Sequence, residues 1–329
     1  AAGYVTGSMF VLGISSWYLL NKRDIGFARR SFSIASAFGL ASILSVIVLG
    51  DESGYTSGET QKIKLAAIEA EWETEPAPAS FTVFGFPNQE TQHTDFAFKI
   101  PYALGLIATR SIDEPVMGLK DLREQSAEKI KSGMIAYGEL QKLRAGDRSD
   151  ATKANFNAHK DDLGYGLLLK KYTPQVVDAD AVMIDKAATD TIPKVAPLFW
   201  TFRVMVASGF TMLFIFGMAF YYCATRVADQ KTWLMRMAVW CIPLPWIAAE
   251  TGWYVAEVGR QPWTIAGVLP TNLSVSSIST EQLWFSIAGF ALFYTVLLII
   301  EMYLMIKYVR LGPSSLHTGR YFFEKPATA

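Results

Sequence analysis

Five long apolar runs constrain the fold of this 329-residue chain more than any other feature of its sequence. Each run can cross roughly 30 Å of hydrocarbon as a helix that rises about 1.5 Å per residue. The runs are Ala1–Leu20, Phe32–Gly50, Ala196–Ala224, Thr232–Val258 and Trp284–Val309. The sequence therefore predicts an all-α integral membrane protein with five transmembrane helices.

The fourth run carries two carboxylates, which are costly inside a membrane and are therefore candidate functional groups. Glu250 and Glu257 lie nearly two helical turns apart, which places both on one helix face about 10 Å from each other. Trp253 lies between them on the same face, and a Gly-Arg-Gln-Pro-Trp turn at 259–263 follows the run. This acid–aromatic–acid stripe is typical of a functional site rather than of a lipid-facing surface.

Composition narrows the possible functions. The formal net charge is zero, so nothing in the charge balance indicates a nucleic-acid partner. The two cysteines, Cys223 and Cys241, lie in or beside apolar runs without the spacing of a disulfide framework or metal site, and we interpret them as small apolar residues. The three histidines, His93, His159 and His317, all lie outside the apolar runs.

Lysine and arginine placement predicts the orientation of the spans. Basic residues concentrate in the connections 21–31 and 225–236 and in the C-terminal tail, whereas the 259–283 connection has Arg260 alone. Five alternating spans place the three basic segments on one side, which we take as cytoplasmic. The 51–194 segment and the 259–283 connection then lie on the periplasmic, or outer, side.

The runs divide the chain into four parts. We expect two transmembrane helices in 1–50, a large outer loop in 51–194, three transmembrane helices in 195–310 and a cytoplasmic tail in 311–329. Residues 1–20 lack the basic leader and cleavage signature of a signal peptide. We therefore expect a further piece upstream of Ala1.

The outer loop is too long to be a passive connection. Apolar residues at helical spacing predict a short amphipathic helix over 61–72, which the Pro76-Ala77-Pro78 stretch would end. A second stripe predicts a helix from Gly118 to Arg144. The polar stretch 145–160 is expected to be mobile.

Taken alone, the residues leave several functional interpretations open. Met205 is one of eleven methionines, most of which fill apolar gaps, and Arg203 can extend its charge to the membrane interface. Lys64 and Glu69 fit the solvated face of a helix as well as a binding site. Glu257 fits a proton relay or an ion pair with Arg260. Glu250 and Glu301 fit either a relay or a buried hydrogen bond.

Several strings, in order and across nearly the whole chain, resemble subunit I of the cytochrome bd-type quinol:oxygen oxidases. That subunit has nine spans, of which this chain matches the last five, and its haem-ligating histidines lie upstream of the match. The strings are Val48-Leu49-Gly50-Asp51-Glu52-Ser53-Gly54-Tyr55, Lys64-Leu65-Ala66-Ala67-Ile68-Glu69-Ala70-Glu71-Trp72, Gly164-Tyr165-Gly166-Leu167-Leu168, Phe202-Arg203-Val204-Met205-Val206, Pro243-Leu244-Pro245-Trp246 and Gly259-Arg260-Gln261-Pro262-Trp263.

The resemblance implies roles for individual residues. Met205 matches the methionine ligand of a low-spin haem b, where a thioether favours ferrous iron. Glu257 matches the carboxylate ligand of a high-spin haem b, and with Trp253 and Glu250 it forms the expected catalytic set. The remaining matches are Arg203 and Arg260, which would bind a haem propionate or stabilise haem charge, and Lys64 and Glu69, which would bind quinol.

The same resemblance implies a terminal oxidase of the bacterial inner membrane. Quinol oxidised at the outer loop would release protons outside, and electrons would pass through two b haems and haem d to reduce oxygen to water without a pumping stroke. The implied partners are a second large membrane subunit, small single-span subunits, the missing N-terminal part and the lipid membrane. The rival functions are a non-redox transporter or channel that uses the intramembrane acids, and a structural membrane subunit.

Overall fold

The computed structural model describes residues 1–312, which are mainly helical. In chain order these residues form α1 (Ala2–Leu20), α2 (Ile25–Thr60), α3 (Lys62–Glu69), β1 (Phe81–Asn88), β2 (His93–Ile100), α4 (Ala103–Ala108), α5 (Leu119–Arg144), α6 (Asp150–His159), α7 (Leu163–Leu167), α8 (Ala181–Asp190), α9 (Val195–Ala224), α10 (Thr232–Trp240), α11 (Leu244–Val258), β3 (Trp263–Ile265), β4 (Leu269–Pro270) and α12 (Thr280–Leu311). The predicted tail, 311–329, lies outside the described residues except for its first two.

Three helical stretches within the described residues are long and apolar enough to cross a membrane: Ile25–Thr60, Ala181–Ala224 and Thr280–Leu311. They correspond to the second, third and fifth predicted spans. The first predicted run forms α1, a helix of 19 residues. All five predicted runs are helical, and three of them meet this criterion of length and apolarity.

The fourth predicted run is interrupted, and this corrects the expectation of a single helix over Thr232–Val258. α10 ends at Trp240 and α11 begins at Leu244, with the break at Cys241, Ile242 and Pro243. The proline ring lacks an N–H and clashes with the carbonyl one turn earlier, and it also disfavours helical geometry at Ile242. The run is therefore two shorter helices that meet at a bend.

α2 continues well beyond its apolar part. Its 36 residues extend for about 54 Å, more than the hydrocarbon layer requires. The predicted boundary between residues 50 and 51 consequently falls inside a helix, and the polar turns from Asp51 to Thr60 extend the helix toward α3.

The membrane helices of the first compact unit, residues 1–274, share one apolar core. α1 packs on α2 and α10, and α2 packs on α9. The core is lined by large side chains such as Met9, Phe32 and Phe216. At Gly39 an added Cβ would overlap the Phe216 ring, so this glycine permits the close approach of α2 and α9.

The 51–194 segment, predicted to lie on the outer side, contains a β-hairpin that the all-α prediction missed. β1 and β2 pair antiparallel, with Phe81 opposite Ile100 and Asn88 opposite His93. Asn88 turns the chain, since its side-chain oxygen accepts the N–H groups of Glu90 and Thr91. The fold is therefore helical with a β-hairpin in the predicted loop.

Two helices of the outer segment were predicted. α5 matches its predicted range, and this prediction is confirmed. α3 is shorter than predicted because Ala70 adopts a left-handed conformation (φ 55°) that ends it, well before the proline stretch. The 145–160 stretch, expected to be mobile, contains α6, whose first turn is capped by Ser149 accepting the N–H of Thr152.

A second apolar cluster joins the outer segment to the membrane helices. Ala66 and Ala67 of α3 and Leu119 of α5 are buried together with Phe199 of α9 and Val255 of α11. This packing fixes α3 against α9 and α11, the two helices that carry most of the predicted site residues.

The last helix belongs to a second unit, which begins at residue 275. α12 starts with a capping box, in which Ser279 accepts the N–H of Gln282 and the Gln282 side chain accepts the N–H of Ser279. Its 32 residues include Glu301, whose role stays unassigned.

Candidate functional site

A buried ion pair lies at the centre of the site. Arg203 of α9 donates from Nη2 to Oε2 of Glu69 across 2.9 Å, and the two side chains are only 11% and 4% exposed. Phe199, one turn earlier on α9, places its ring beneath the guanidinium at 3.3 Å from the ring centroid. A buried charge pair of this kind is tolerated only when its remaining polar atoms are also satisfied.

Arg203 meets that requirement with all five of its N–H groups. Nε donates to the carbonyl of Val83 (3.1 Å), Nη1 donates to the carbonyls of Ile68 (2.8 Å) and Phe199 (3.1 Å), and Nη2 donates to Thr82 as well as to Glu69. A haem propionate could therefore bind Arg203 only by replacing one of these acceptors. The geometry favours Arg203 as the residue that holds Glu69, and the predicted propionate role stays a prediction.

Glu69 and Lys64 lie on different sides of α3, as their spacing predicts. Glu69 faces Arg203, whereas the Lys64 side chain lies against Gly259, where an added Cβ would be 3.0 Å from the lysine Cγ. Burial lowers the pKa of Lys64, and the nearby charge of Arg260 lowers it further, while Glu257 opposes the shift. The structure thus brings Lys64 close to the second predicted group of site residues.

Burial has the opposite effect on Glu69. Loss of hydration raises its pKa to about 7, and the Arg203 charge and hydrogen bond offset only part of that change. The nearby Glu71 carboxylate raises the pKa further. Glu69 can therefore exchange a proton near neutral pH.

Glu257 and Arg260 form the ion pair that their i,i+3 spacing allows. Arg260 Nη2 contacts Glu257 Oε2, and both side chains are half-buried. Arg260 Nε is buried and finds no hydrogen-bond partner within residues 1–312. This unsatisfied N–H is a donor that an anionic group, such as a haem propionate, would satisfy.

The predicted stripe on α11 is present. Glu250 and Trp253 are exposed, with Trp253 65% exposed, while Pro245 and Val255 form the buried face. Glu257, which is half-buried, lies on the same stripe at the end of the helix.

Met205 lies at the contact between α9 and α11. A Cβ added to Gly252 would be 2.9 Å from the Met205 sulfur, so the glycine leaves room for the thioether. Gly252 directly precedes Trp253. A soft sulfur ligand, a carboxylate and an unsatisfied arginine N–H therefore occur along one helix pair, and this donor set fits axial ligation and propionate binding of haem.

A cavity of about 430 Å³ opens beside these residues. Its wall includes Lys64 and Gln61 from the α2–α3 region, Ser126 from α5, Tyr165 from α7, and Arg260 and Trp263 after α11. Glu69 is not part of this wall. The two predicted quinol-binding residues therefore do not face one common cavity in this conformation.

Comparison with known proteins identifies the family. A family model described as cytochrome bd terminal oxidase subunit I matches residues 1–313. The chain belongs to the cytochrome bd terminal oxidase subunit I family.

Members of this family resemble the chain over most of its length. Cytochrome bd-II ubiquinol oxidase subunit 1 of Escherichia coli (strain K12) is 44% identical over 317 residues, which cover 96% of this chain and 62% of the relative. Cytochrome bd ubiquinol oxidase subunit 1 of Bacillus subtilis (strain 168) is 28% identical over 308 residues, covering 93% of this chain and 54% of the relative. The chain thus spans roughly three-fifths of the length of these curated relatives.

A solved structure supports the fold. The bd oxidase from Geobacillus thermodenitrificans aligns with a TM-score of 0.60 at 23% identity, over 95% of this chain and 56% of that chain. At this identity the likeness concerns the fold alone.

The cytochrome bd family resemblance did not point to every residue of the site. Glu71, Thr82 and Lys99 form hydrogen bonds next to the Arg203–Glu69 pair, and none was predicted as a site residue. Glu71 lies in the string that carries the resemblance, but its partners come from β1 and β2. Without the hairpin, nothing in the sequence indicated that Glu71 would be buried.

Proposed function

We propose that this chain is part of the haem-bearing subunit of a terminal oxidase that oxidises quinol and reduces oxygen to water. The family match over residues 1–313 carries the proposal. The site geometry supports it, because the predicted ligand and proton-accepting residues lie on neighbouring elements. The curated relatives are longer, so the working subunit in this proposal includes the further part of subunit I that they contain.

Within this proposal the chain supplies two iron ligands. The Met205 thioether would hold the low-spin haem b and the Glu257 carboxylate would hold the high-spin haem b, while other parts of the subunit would hold haem d. Arg260 would bind a propionate through its unsatisfied Nε, and Trp253 and Glu250 lie on the same stripe as Glu257. The haems supply the redox steps by which electrons from quinol reach oxygen.

In this proposal, residues outside the membrane spans carry out the acid–base chemistry of quinol oxidation. Each quinol gives up two electrons and two protons when it becomes quinone. Lys64 donates a hydrogen bond to a quinol oxygen in the cavity, and the Glu69 carboxylate accepts a proton. Arg203 keeps the Glu69 carboxylate ordered between proton transfers. The different directions of Lys64 and Glu69 support separate roles for the two residues.

Topology and partners complete the proposal. Five spans, the fourth bent at Pro243, alternate across the bacterial inner membrane, with 51–194 outside and the tail inside. Proton release outside and proton consumption inside then store energy at about 2.3 kcal/mol per charge per 100 mV. The partners are a second large membrane subunit, small single-span subunits and the lipid membrane, with no nucleic acid.

The transporter and structural-subunit alternatives have no support in the comparisons, since the relatives at 44% and 28% identity are named as ubiquinol oxidase subunits. The carboxylates of α11, Glu250 and Glu257, would fit a transporter or a structural subunit only if no haem bound to this helix.

Oxygen consumption by the assembled complex tests the proposal. With quinol as donor we expect Lys64→Ala and Glu69→Ala to lower the rate at least tenfold, since positioned acid–base groups typically contribute roughly 10²–10⁴-fold. With an artificial electron donor that bypasses the quinol site, the same variants should retain the wild-type rate. Lys131→Ala, at an exposed position on α5, is the matched control. A wild-type complex that consumes no oxygen with quinol would contradict the proposal.

A further inference from the structure

A second buried carboxylate lies beside Glu69. The Glu71 side chain is 6% exposed and follows α3 by two residues. Its Oε1 accepts a hydrogen bond from Oγ1 of Thr82 at 3.3 Å, and its Oε2 accepts one from Nζ of Lys99 at 3.5 Å. Both partners come from the hairpin, which covers this carboxylate.

Hydrogen bonds connect Glu71 with the Glu69 site on one side and with the surface on the other. Thr82, which donates to Glu71, accepts a hydrogen bond from Arg203 through its carbonyl, and Arg203 binds Glu69. On the outer side Lys99 also donates to Oε1 of Glu75 at 3.1 Å. Side-chain exposure rises from 4% at Glu69 and 6% at Glu71 to 20% at Glu75 and 38% at Lys99.

Burial and the surrounding charges shift the pKa of Glu71. Burial raises its pKa to about 7, Lys99 opposes the shift and Glu75 adds to it. Glu71 in turn raises the pKa of Glu69, so the two carboxylates interact. Arg203 donates to five acceptors and Lys99 to two carboxylates, so these cations offset the negative charge of Glu69 and Glu71.

We propose that Glu71 is the proton-release residue of quinol oxidation and carries the proton from Glu69 toward the outer solution past Lys99 and Glu75. This inference rests on the proposed function. The sequence of steps runs twice for each quinol, so that two protons and two electrons leave it. In the first step of each round one quinol O–H bond breaks, Glu69 takes the proton and one electron leaves toward the haems. In the second step the Glu69 carboxyl gives this proton to the Glu71 carboxylate. Glu71 then gives it to outer water beside Glu75, which restores both carboxylates.

The test is Glu71→Gln in the complete, haem-loaded complex, because glutamine keeps the shape and can accept one of the two hydrogen bonds but cannot carry a proton. We expect kcat with quinol to fall about tenfold, while the KM for quinol and the rate with an artificial donor stay unchanged. In the wild type the quinol rate should rise with pH through about 7, as the carboxylates ionise. Glu71→Asp should restore at least half of the lost rate.

A control and a second variant separate proton release from a structural role. Glu73→Gln changes an exposed carboxylate of the same segment that pairs with Lys120, so it should leave the rate and the pH profile unchanged. Thr82→Val removes the hydroxyl that donates to Glu71 but keeps the carbonyl that binds Arg203, and should lower the quinol rate about threefold. Wild-type kcat and pH profile in Glu71→Gln would overturn the inference, as would an equal loss with both donors.

Infrared titration gives a readout that does not depend on turnover. The wild-type complex should show a protonated carboxyl band that disappears as the pH rises through about 7, and Glu71→Gln should remove part of it. A band unchanged by Glu71→Gln would overturn the inference even if the complex oxidised no quinol. If Glu71→Gln left the band unchanged and the wild-type complex oxidised quinol normally, the proposed function would stand and only the role of Glu71 would be rejected.

Discussion

At the scale of single residues, Arg203 shows how a charge is kept near the N-terminus of a long apolar helix. Its guanidinium is stabilised by five protein acceptors, one of which is the Glu69 carboxylate. The planar, forked shape of arginine suits this arrangement, and lysine cannot reproduce it. The sequence motif indicated that Arg203 matters, but only the structure shows that Glu69 is its partner.

Arg203→Lys tests this role. Lysine has three N–H donors for five acceptors, so at least two buried acceptors lose a partner at about 1–3 kcal/mol each. We expect a loss of roughly 2–6 kcal/mol in the free energy of unfolding, measured by thermal denaturation of the purified complex. Arg29→Lys, at an exposed pair with Asp229, should have little effect. Equal losses in the two variants would contradict the argument.

The raised pKa of Glu69 predicts a pH dependence of stability. The folded protein keeps a proton on Glu69 up to about pH 7, whereas the unfolded chain loses it near 4.5. This contribution is therefore complete below 4.5 and is lost as the pH rises through about 7. Between pH 5 and pH 8 the wild type should lose more thermal stability than Glu69→Gln. A larger loss in the variant would refute the predicted shift.

At the scale of secondary-structure elements, the contact between α9 and α11 places the predicted iron ligands. Gly252 lets the Met205 sulfur approach α11. We expect Gly252→Ala to displace the thioether and to shift the low-spin haem absorption band of the complete complex. Gly209→Ala is the matched control on α9, since a Cβ there would have nothing within 4 Å. Identical spectra for both variants and the wild type would count against the placement of Met205.

The elements also show what the sequence could predict. α5 and the apolar helices were predictable because each has a long periodic or continuous apolar pattern. The hairpin at 81–100 was not, because β1 packs on α9, which lies far away in sequence. Pro243 and Pro245 indicate a helix break in the sequence, but the run around them is continuously apolar and was therefore predicted as one helix.

At the scale of the whole molecule, the account requires the outer segment and the basic connections to lie on opposite sides of the membrane. After both native cysteines are replaced by alanine, Lys153→Cys on α6 should react with a membrane-impermeant thiol reagent added to intact cells. Lys22→Cys, in the first basic connection, should react only after the membrane is opened. Both positions are exposed. The reverse pattern would invert the proposed topology.

Candidate site residues were predictable from the periodicity of the fourth apolar run and from the family motifs. Periodicity placed Glu250, Trp253 and Glu257 on one face, and the structure confirms that arrangement. The partners of Glu69 and Lys64 could not be predicted, because each contact joins elements far apart in the chain. The pairing of Arg260 with Glu257 was among the predicted alternatives, because the two residues are only three positions apart. The haem-binding and quinol-binding roles of these residues stay predictions.

The most direct test of the account is the reduced-minus-oxidised absorption spectrum of the complete complex with Met205→Leu. Met212→Leu is the matched control, since Met212 is a buried core residue of the same helix and the exchange conserves volume. We predict that Met205→Leu loses the low-spin haem b band, whereas Met212→Leu and the wild type keep it. A wild-type band in Met205→Leu, or no haem bands in the wild-type complex, would contradict the account.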